Sequence, residues 1–259
     1  WDRGEIPLYS RYVLRSTDEA QSFGDETEVL HRKPHETDPG NKMIQLASGR
    51  VVMPMMRVTS AVAGGYPVGT LDGGCYTSDD GGRTWVEPRQ WFSLPMRGVM
   101  APTAVELEDS TVFMVMRTQL GALFGSRSAD GAETWSAPWV TTLRAPESCP
   151  ALTRVPAGGD LVIVWNNSLY EPYRGHYGFR TPLSIAVSHD GGRTWGRTKH
   201  IETEAGWEFT NPAINFTSRG GLVVTYVASP MDSVDRPGRF GRSNMSLKAA
   251  IADIDWLYS

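Results

Sequence analysis

An eight-residue motif that returns in phase along the chain is the strongest constraint on its fold. Ser78-Asp79-Asp80-Gly81-Gly82-Arg83-Thr84-Trp85 and Ser188-His189-Asp190-Gly191-Gly192-Arg193-Thr194-Trp195 agree at seven of eight positions. Ser128-Ala129-Asp130-Gly131-Ala132-Glu133-Thr134-Trp135 is a third copy with Ala132 at the second glycine, and Ser16-Thr17-Asp18-Glu19-Ala20-Gln21-Ser22-Phe23 is a degenerate fourth. The motif aspartates fall at 18, 80, 130 and 190, in steps of 62, 50 and 60 residues. A self-similar period of this length means one supersecondary unit used several times.

Between the copies lies a second recurring element, in which a β-rich run meets a tight turn and a second β-rich run. Met43 to Leu46 turns at Ser48-Gly49 into Val51 to Met56, and Thr103 to Leu107 turns at Asp109-Ser110 into Val112 to Met116. Ala151 to Val155 turns into Leu161 to Trp165, and Ala213 to Phe216 turns into Leu222 to Val227. These are hairpin signals. A hairpin, a strand running into the motif and a strand leaving it give four strands per unit, which is the blade of an all-β propeller rather than the coil of a solenoid. In the motif a short Ser and an Asp can bond backbone amides across the turn, and the glycines can take positive φ. A residue repeated in every blade cannot mark one site on a ring, so the aspartates read as structural and Trp85, Trp135 and Trp195 as core or blade-edge residues.

Counting units gives half a blade before residue 31, then blades near 42–95, 101–145, 150–204 and 210–254, all within one propeller domain spanning 1–259. Four and a half blades leave sheet edges open. The expectation is therefore that about one and a half blades, roughly 80 to 100 residues, precede Trp1; a complete five-bladed ring is the alternative. With 25 basic against 29 acidic residues and no Lys/Arg-rich run, the chain has no electrostatic footprint for nucleic acid or an anionic membrane. No apolar run reaches the length of a membrane span. Cys75 and Cys149 are the two cysteines, and the sequence neither requires nor excludes a bridge between them.

The Ser-Xaa-Asp-Xaa-Gly-Xaa-Thr-Trp motif at this spacing resembles the Asp-box repeat of the sialidase superfamily. The resemblance implies a six-bladed propeller and an enzyme that releases terminal sialic acids. Val112-Phe113-Met114-Val115-Met116-Arg117-Thr118 resembles the family strand that ends in the middle arginine of a carboxylate-binding triad, and Arg180 in Phe179-Arg180-Thr181-Pro182 looks like the third. Two guanidinium forks on one carboxylate give bidentate recognition that lysine could not reproduce. The first family arginine has no counterpart here and would lie upstream.

The family's tyrosine nucleophile and its activating glutamate are where the match departs. The resemblance places Ala101 where the glutamate belongs and Phe209 where the tyrosine belongs, and neither can do that chemistry. Glu208 could supply a carboxylate, although strand alternation points it to the face opposite Phe209. Asp2 or Glu5 precedes the strand running into the first box, where the family keeps its acid/base aspartate. Arg97, Glu147, Asn166 and His176 lie in loops or at strand ends between blades and are candidates to line a sugar pocket. The five histidines form no metal-ligand pattern and there is no Gly-rich phosphate loop, so no cofactor is expected. The expected partner is a glycan or small acidic sugar, and the resemblance makes a secreted or periplasmic location plausible. Three functions follow: a sialidase-like glycosidase, a carbohydrate-binding propeller that grips without hydrolysis, or a purely structural module in which the arginines do not converge.

Overall fold

The computed structural model describes residues 8–34, 36–39, 42–59, 70–156, 158–171, 178–231 and 244–259. Five antiparallel sheets follow one another along the chain. The first pairs β1 (Leu8–Arg15) with β2 (Gly24–Pro34). The second contains β3 (Glu36–Pro39), β4 (Ile44–Gln45), β5 (Val51–Val58) and β6 (Leu71–Ser78). The third is β7 (Met100–Glu106), β8 (Val112–Arg117), β9 (Ala122–Ser128) and β10 (Trp139–Arg144), paired in that order. The fourth is β11 (Ala151–Arg154), β12 (Leu161–Asn166), β13 (Leu183–Ser188) and β14 (Lys199–Glu202), also in order. The fifth holds β15 (Trp207–Phe216), β16 (Leu222–Pro230) and β17 (Ser246–Ala252), followed by the short helix α1 (Ile254–Tyr258).

The third and fourth sheets are the four-stranded units expected from the repeat; the second and fifth differ. In the second, β3 and β4 lie end to end along the same side of β5, and β6 takes the other side. Beyond β6 the expected outer strand is reduced to two bridges, Thr77 with Val86 and Gly73 with Phe92. Pro88 lies between them and lacks the N–H a ladder needs. In the fifth sheet three strands form among the described residues, and α1 folds back so that Tyr258 donates to Asp160 at 2.8 Å. The sheets do not close into a ring among the described residues, and no helix there is long and apolar enough to cross a membrane.

Apolar residues cluster between sheets because each sheet covers its neighbour's face. Leu30 of β2 packs with Met53, Met55 and Tyr76 of the second sheet. Leu46, Val52 and Cys75 meet Val112, Met114 and Met116 of the third. Phe113, Val115 and Leu123 meet Leu152, Ile163 and Trp165 of the fourth, and Val162, Val164 and Ile185 meet Phe209, Val224 and Tyr226 of the fifth. The fully buried β12 therefore reads as a continuous apolar run rather than an alternating one, while β13, buried along its whole length, carries Ser184 and Ser188 among its apolar residues.

The eight-residue motifs are closed by their own side chains. Ser78 donates to Asp80 at 2.8 Å and accepts from the Gly82 amide at 2.7 Å, while Asp80 accepts from the Arg83 and Thr84 amides and the Thr84 hydroxyl. The same bonds recur around Asp190. Burial pushes the Asp190 carboxyl up, but bonds from Thr194 and Ser188 outweigh it and hold the pKa at about 2. In the degenerate copy Ser16 and Ser22 hold Asp18 at about 2. An arginine of the preceding sheet caps each of three motifs: Arg15 donates to Gly81 O, Arg50 to Gly131 O and Arg127 to Gly191 O. The motifs thus tie consecutive sheets together, which the sequence alone does not show.

Gly192 sets the closest of these approaches. Its φ is 88°, and a Cβ there would lie 2.4 Å from the ring of Phe113, itself fully buried. Gly192→Ala is expected to lower stability by about 3 kcal/mol through strain and overpacking. Gly82→Ala, whose Cβ would meet Trp85 at 3.3 Å, is expected to cost only about 1 kcal/mol. Urea unfolding of both variants checks the order, and equal midpoints would refute the role given to Phe113. Ala132 stands at the equivalent position with φ 72° and is buried against the second and third sheets' core.

Candidate functional site

Strand ends of the second to fifth sheets meet at a common rim. Met100 at the start of β7 pairs with Arg117 at the end of β8, and the motif follows Ser128, which pairs with Val112 at the far end of β8. The motifs and Arg117 therefore lie at opposite ends of a six-residue strand, about 17–20 Å apart. Three first strands carry a residue followed by proline near this rim: Ala101-Pro102 at the start of β7, Cys149-Pro150 just before β11, and Asn211-Pro212 inside β15. Ala101 and Asn211 have φ of 39° and 51°, and each sits at a register shift against the next strand.

Four loops and strand ends meet there. Arg97 lies just before β7, where Leu71 N donates to Arg97 O at 2.9 Å. Gly98 allows that approach, since an added Cβ would fall 2.0 Å from Leu71 O. After Arg117, Thr118 closes the turn into β9 by donating to Ala122 O at 2.8 Å, which leaves Gln119 at the rim. Between β10 and β11, Ser148 N donates to Pro146 O at 2.8 Å, a three-residue turn centred on Glu147.

That turn delivers a fully buried carboxylate, and a buried charge is held only when it is paired and hydrogen-bonded. Arg97 Nη1 donates to Glu147 Oε1 at 2.6 Å, Arg117 Nη2 donates to the same oxygen, and Gln119 Nε2 donates to Oε2. Arg180, just before β13, donates through Nη2 to the Glu147 backbone carbonyl at 3.1 Å. Arg117 Nη1 also donates to Cys149 Sγ at 3.4 Å. Burial works to lower the Arg117 pKa, but the charges of Cys149 and Glu147 prevail and raise it. Burial and Glu147 together raise the Tyr170 pKa while Arg97 opposes them, which places the Tyr170 hydroxyl in the field of this group. Two guanidiniums hold one carboxylate, with Arg180 on the same residue's backbone carbonyl, in surroundings that exclude most water, a setting in which charge interactions are strong.

The expected site residues are thus partly assembled. Arg97, Arg117 and Glu147 are in direct contact, and Arg180 joins them through a backbone carbonyl. Asn166 is fully buried, and its Nδ2 donates to Arg180 O at 2.8 Å and Phe209 O at 3.0 Å, which braces the strand end carrying Arg180. Phe209 is buried in the core between the fourth and fifth sheets, edge-on to Tyr226 with ring centroids 6.0 Å apart. The rim position matching Ala101 is Asn211, which is exposed. Glu208 points to the opposite face of β15, across from Ser229 in register. Asp2, Glu5 and His176 lie outside the described residues. Gln119, Cys149 and Tyr170 join the group unforeseen; the signal was their spacing, two residues after Arg117, two after Glu147 and four after Asn166. Both cysteines are free thiols, and among the described residues no group of three or more His, Cys, Asp or Glu could hold a metal.

Comparison with curated proteins gives no match. Among solved structures, a protein of unknown function from Dyadobacter fermentans superposes with a TM-score of 0.69 at 17% identity, over 93% of this chain and 63% of that one. The NanB sialidase of Streptococcus pneumoniae superposes with a TM-score of 0.69 at 16% identity, over 94% of this chain and 36% of that one. The intramolecular trans-sialidase of Ruminococcus gnavus gives 0.68 at 17% identity, over 96% of this chain and 51% of that one. The chain thus spans between about a third and two thirds of the length of these structures, and identities this low establish the fold alone. The sequence pattern of the BNR repeat-like domain matches residues 4–224, most of the chain. With its recurring motifs, its successive antiparallel sheets and these neighbours, the chain belongs to the BNR repeat-like domain family and carries the all-β fold of the sialidase superfamily.

Proposed function

We propose that the chain acts on a glycan ending in a carboxylate-bearing sugar, as a glycoside hydrolase of the exo-α-sialidase type. The observation that carries this reading is the convergence of Arg97, Arg117 and Arg180 on the Glu147 turn at one rim. The Glu147 carboxylate fixes Arg97 and Arg117 by direct contact, and arginine forks held in place at a rim suit recognition of a carboxylate. A purely structural module carries the expectation that the arginines do not converge, whereas Arg97, Arg117 and Arg180 all contact Glu147.

A second reading, recognition without hydrolysis, is favoured by two positions. Ala101 carries no functional group, and the Phe209 ring is buried in the core. The test is hydrolysis of a fluorogenic sialoside by the full-length protein, together with calorimetric titration of free sialic acid, for the parent and Arg117→Ala. Turnover that falls at least about a hundredfold in the variant supports the hydrolase. Saturable binding without turnover, lost in the variant, supports the second reading. Neither turnover nor binding refutes both.

The intact protein is proposed to be a six-bladed ring in which residues 1–259 form one part of a single propeller domain. Both ends of the arc present apolar side chains. Leu247 and Ile251 on β17 are 78% and 76% exposed, and Tyr12 and Leu14 on β1 and Phe23 just before β2 are 48%, 50% and 61% exposed. Faces of this kind call for covering sheets.

A further inference from the structure

We propose that Tyr170 is a ligand-contact residue of the rim, its phenol donating a hydrogen bond to an oxygen of the bound sugar. The inference deepens the reading of the rim as a sugar site and rests on it. The segment that carries Tyr170 is fixed against the Glu147 turn. Asn167 N donates to Pro182 O at 3.3 Å, and Ser168 Oγ donates to Phe179 O. Gly178, at φ 72°, makes the closest approach: a Cβ there would lie 3.1 Å from Pro146 Cβ, 3.2 Å from the Glu171 amide nitrogen and 3.5 Å from Leu169 O. Pro146 precedes Glu147, so the backbone on both sides of Tyr170 is held beside the turn that presents the carboxylate.

Within this segment the usual order of burial is inverted. Leu169 is 60% exposed and Glu171 is exposed, whereas Tyr170 between them is half-buried. Hydrophobicity alone would turn the leucine inward and leave the phenol at the surface. Burial and the Glu147 charge raise the phenol pKa, with Arg97 opposing, so the hydroxyl keeps its proton through neutral pH and acts as a donor. Among the described residues no acceptor takes that hydrogen bond. Both Glu147 carboxylate oxygens already accept from Arg97, Arg117 and Gln119. A tyrosine drawn out of solvent normally finds a partner for its O–H, and an oxygen of a sugar seated at the rim supplies one.

The experiment is calorimetric titration of sialic acid and, in parallel, of glucuronate into the full-length parent and Tyr170→Phe. Phenylalanine keeps the ring and its packing and removes the hydroxyl alone, so the urea midpoints of the two proteins should agree. Affinity is expected to fall about tenfold in the variant, the loss of one hydrogen bond to the ligand. Sugar binding should also perturb the near-ultraviolet absorbance of tyrosine in the parent and do so less in the variant, a readout that a residue acting through packing would not move. Equal affinities refute Tyr170 while the sugar reading survives. A weaker variant whose urea midpoint is lowered and whose absorbance change matches the parent's assigns the residue to packing and overturns the proposal. If glucuronate binds and the variant weakens it while sialic acid does not bind, Tyr170 stands and the sialidase reading fails. Binding of neither sugar to the parent overturns both.

Discussion

Glu147→Leu is expected to destabilise the protein by about 3–5 kcal/mol, the largest effect of any single rim substitution. The side chains of Arg97 and Arg117 are 11% exposed and that of Glu147 is fully buried, so the three groups have given up most of their hydration. Removing the carboxylate leaves guanidiniums packed against an apolar side chain that offers no acceptor, and it removes the partner of Gln119 Nε2 as well. The loss is expected as a lower urea midpoint with an unchanged slope. Arg97→Met should destabilise by a similar amount, and in the double variant the two losses should fall short of their sum by at least about 1 kcal/mol, because they break one interaction. Additive losses, or a loss under about 1 kcal/mol for Glu147→Leu, would show that the contacts contribute little cohesion. The rim is thus an electrostatic unit: the group that holds the guanidiniums in place is also the first anion they meet.

Phe209→Ala is expected to cost about 3–5 kcal/mol, because the ring is fully buried where the fourth and fifth sheets meet. Its neighbours leave little room for collapse: Tyr226 stands edge-on to it, and Lys248 Nζ lies 5.5 Å from the ring centre while binding Glu202. Phe209→Tyr separates core from site more sharply. A phenol at this position adds a hydroxyl to the apolar cluster and is expected to lower stability by about 1–3 kcal/mol with no gain in sialoside turnover. Denaturation and a fluorogenic assay on the same preparation check both halves. A tyrosine that raised turnover would show that residue 209 reaches the rim, which its burial in this structure denies.

The two predictions mark what reading along the chain could and could not see. Strand positions were legible because each hairpin carried its own signal: Val112 to Met116 and Leu161 to Trp165 read as strands, and β8 and β12 cover them with one residue to spare. Arg117 and Arg180 stood out as strand-end residues for the same reason. Near Phe209 a register shift between Thr210 and Ala213 bulges the strand, and the exposed residue of that bulge is Asn211. Such a bulge costs nothing that local sequence reveals, except that a proline follows. Asn166 looked like a reader of hydroxyls because a polar residue after an apolar strand usually faces solvent. Here the chain carrying Arg180 covers it, and its amide satisfies that chain's carbonyls.

What the sequence determined by itself is the unit: its period, its hairpins and a motif whose Ser, Asp and glycines close a turn within eight residues. Those features depend on backbone conformation and contacts between near neighbours, so they are written in order along the chain. The tertiary structure decided what the rim does with its charges. Arg97, Arg117, Glu147 and Arg180 follow one another at steps of 20, 30 and 33 residues in sequence and meet only after the third and fourth sheets pack face to face. The pairing of Glu147 with two guanidiniums, and the placing of Cys149 against Arg117, follow from that packing, because long-range electrostatic partners are chosen by proximity in space and leave no local pattern to read.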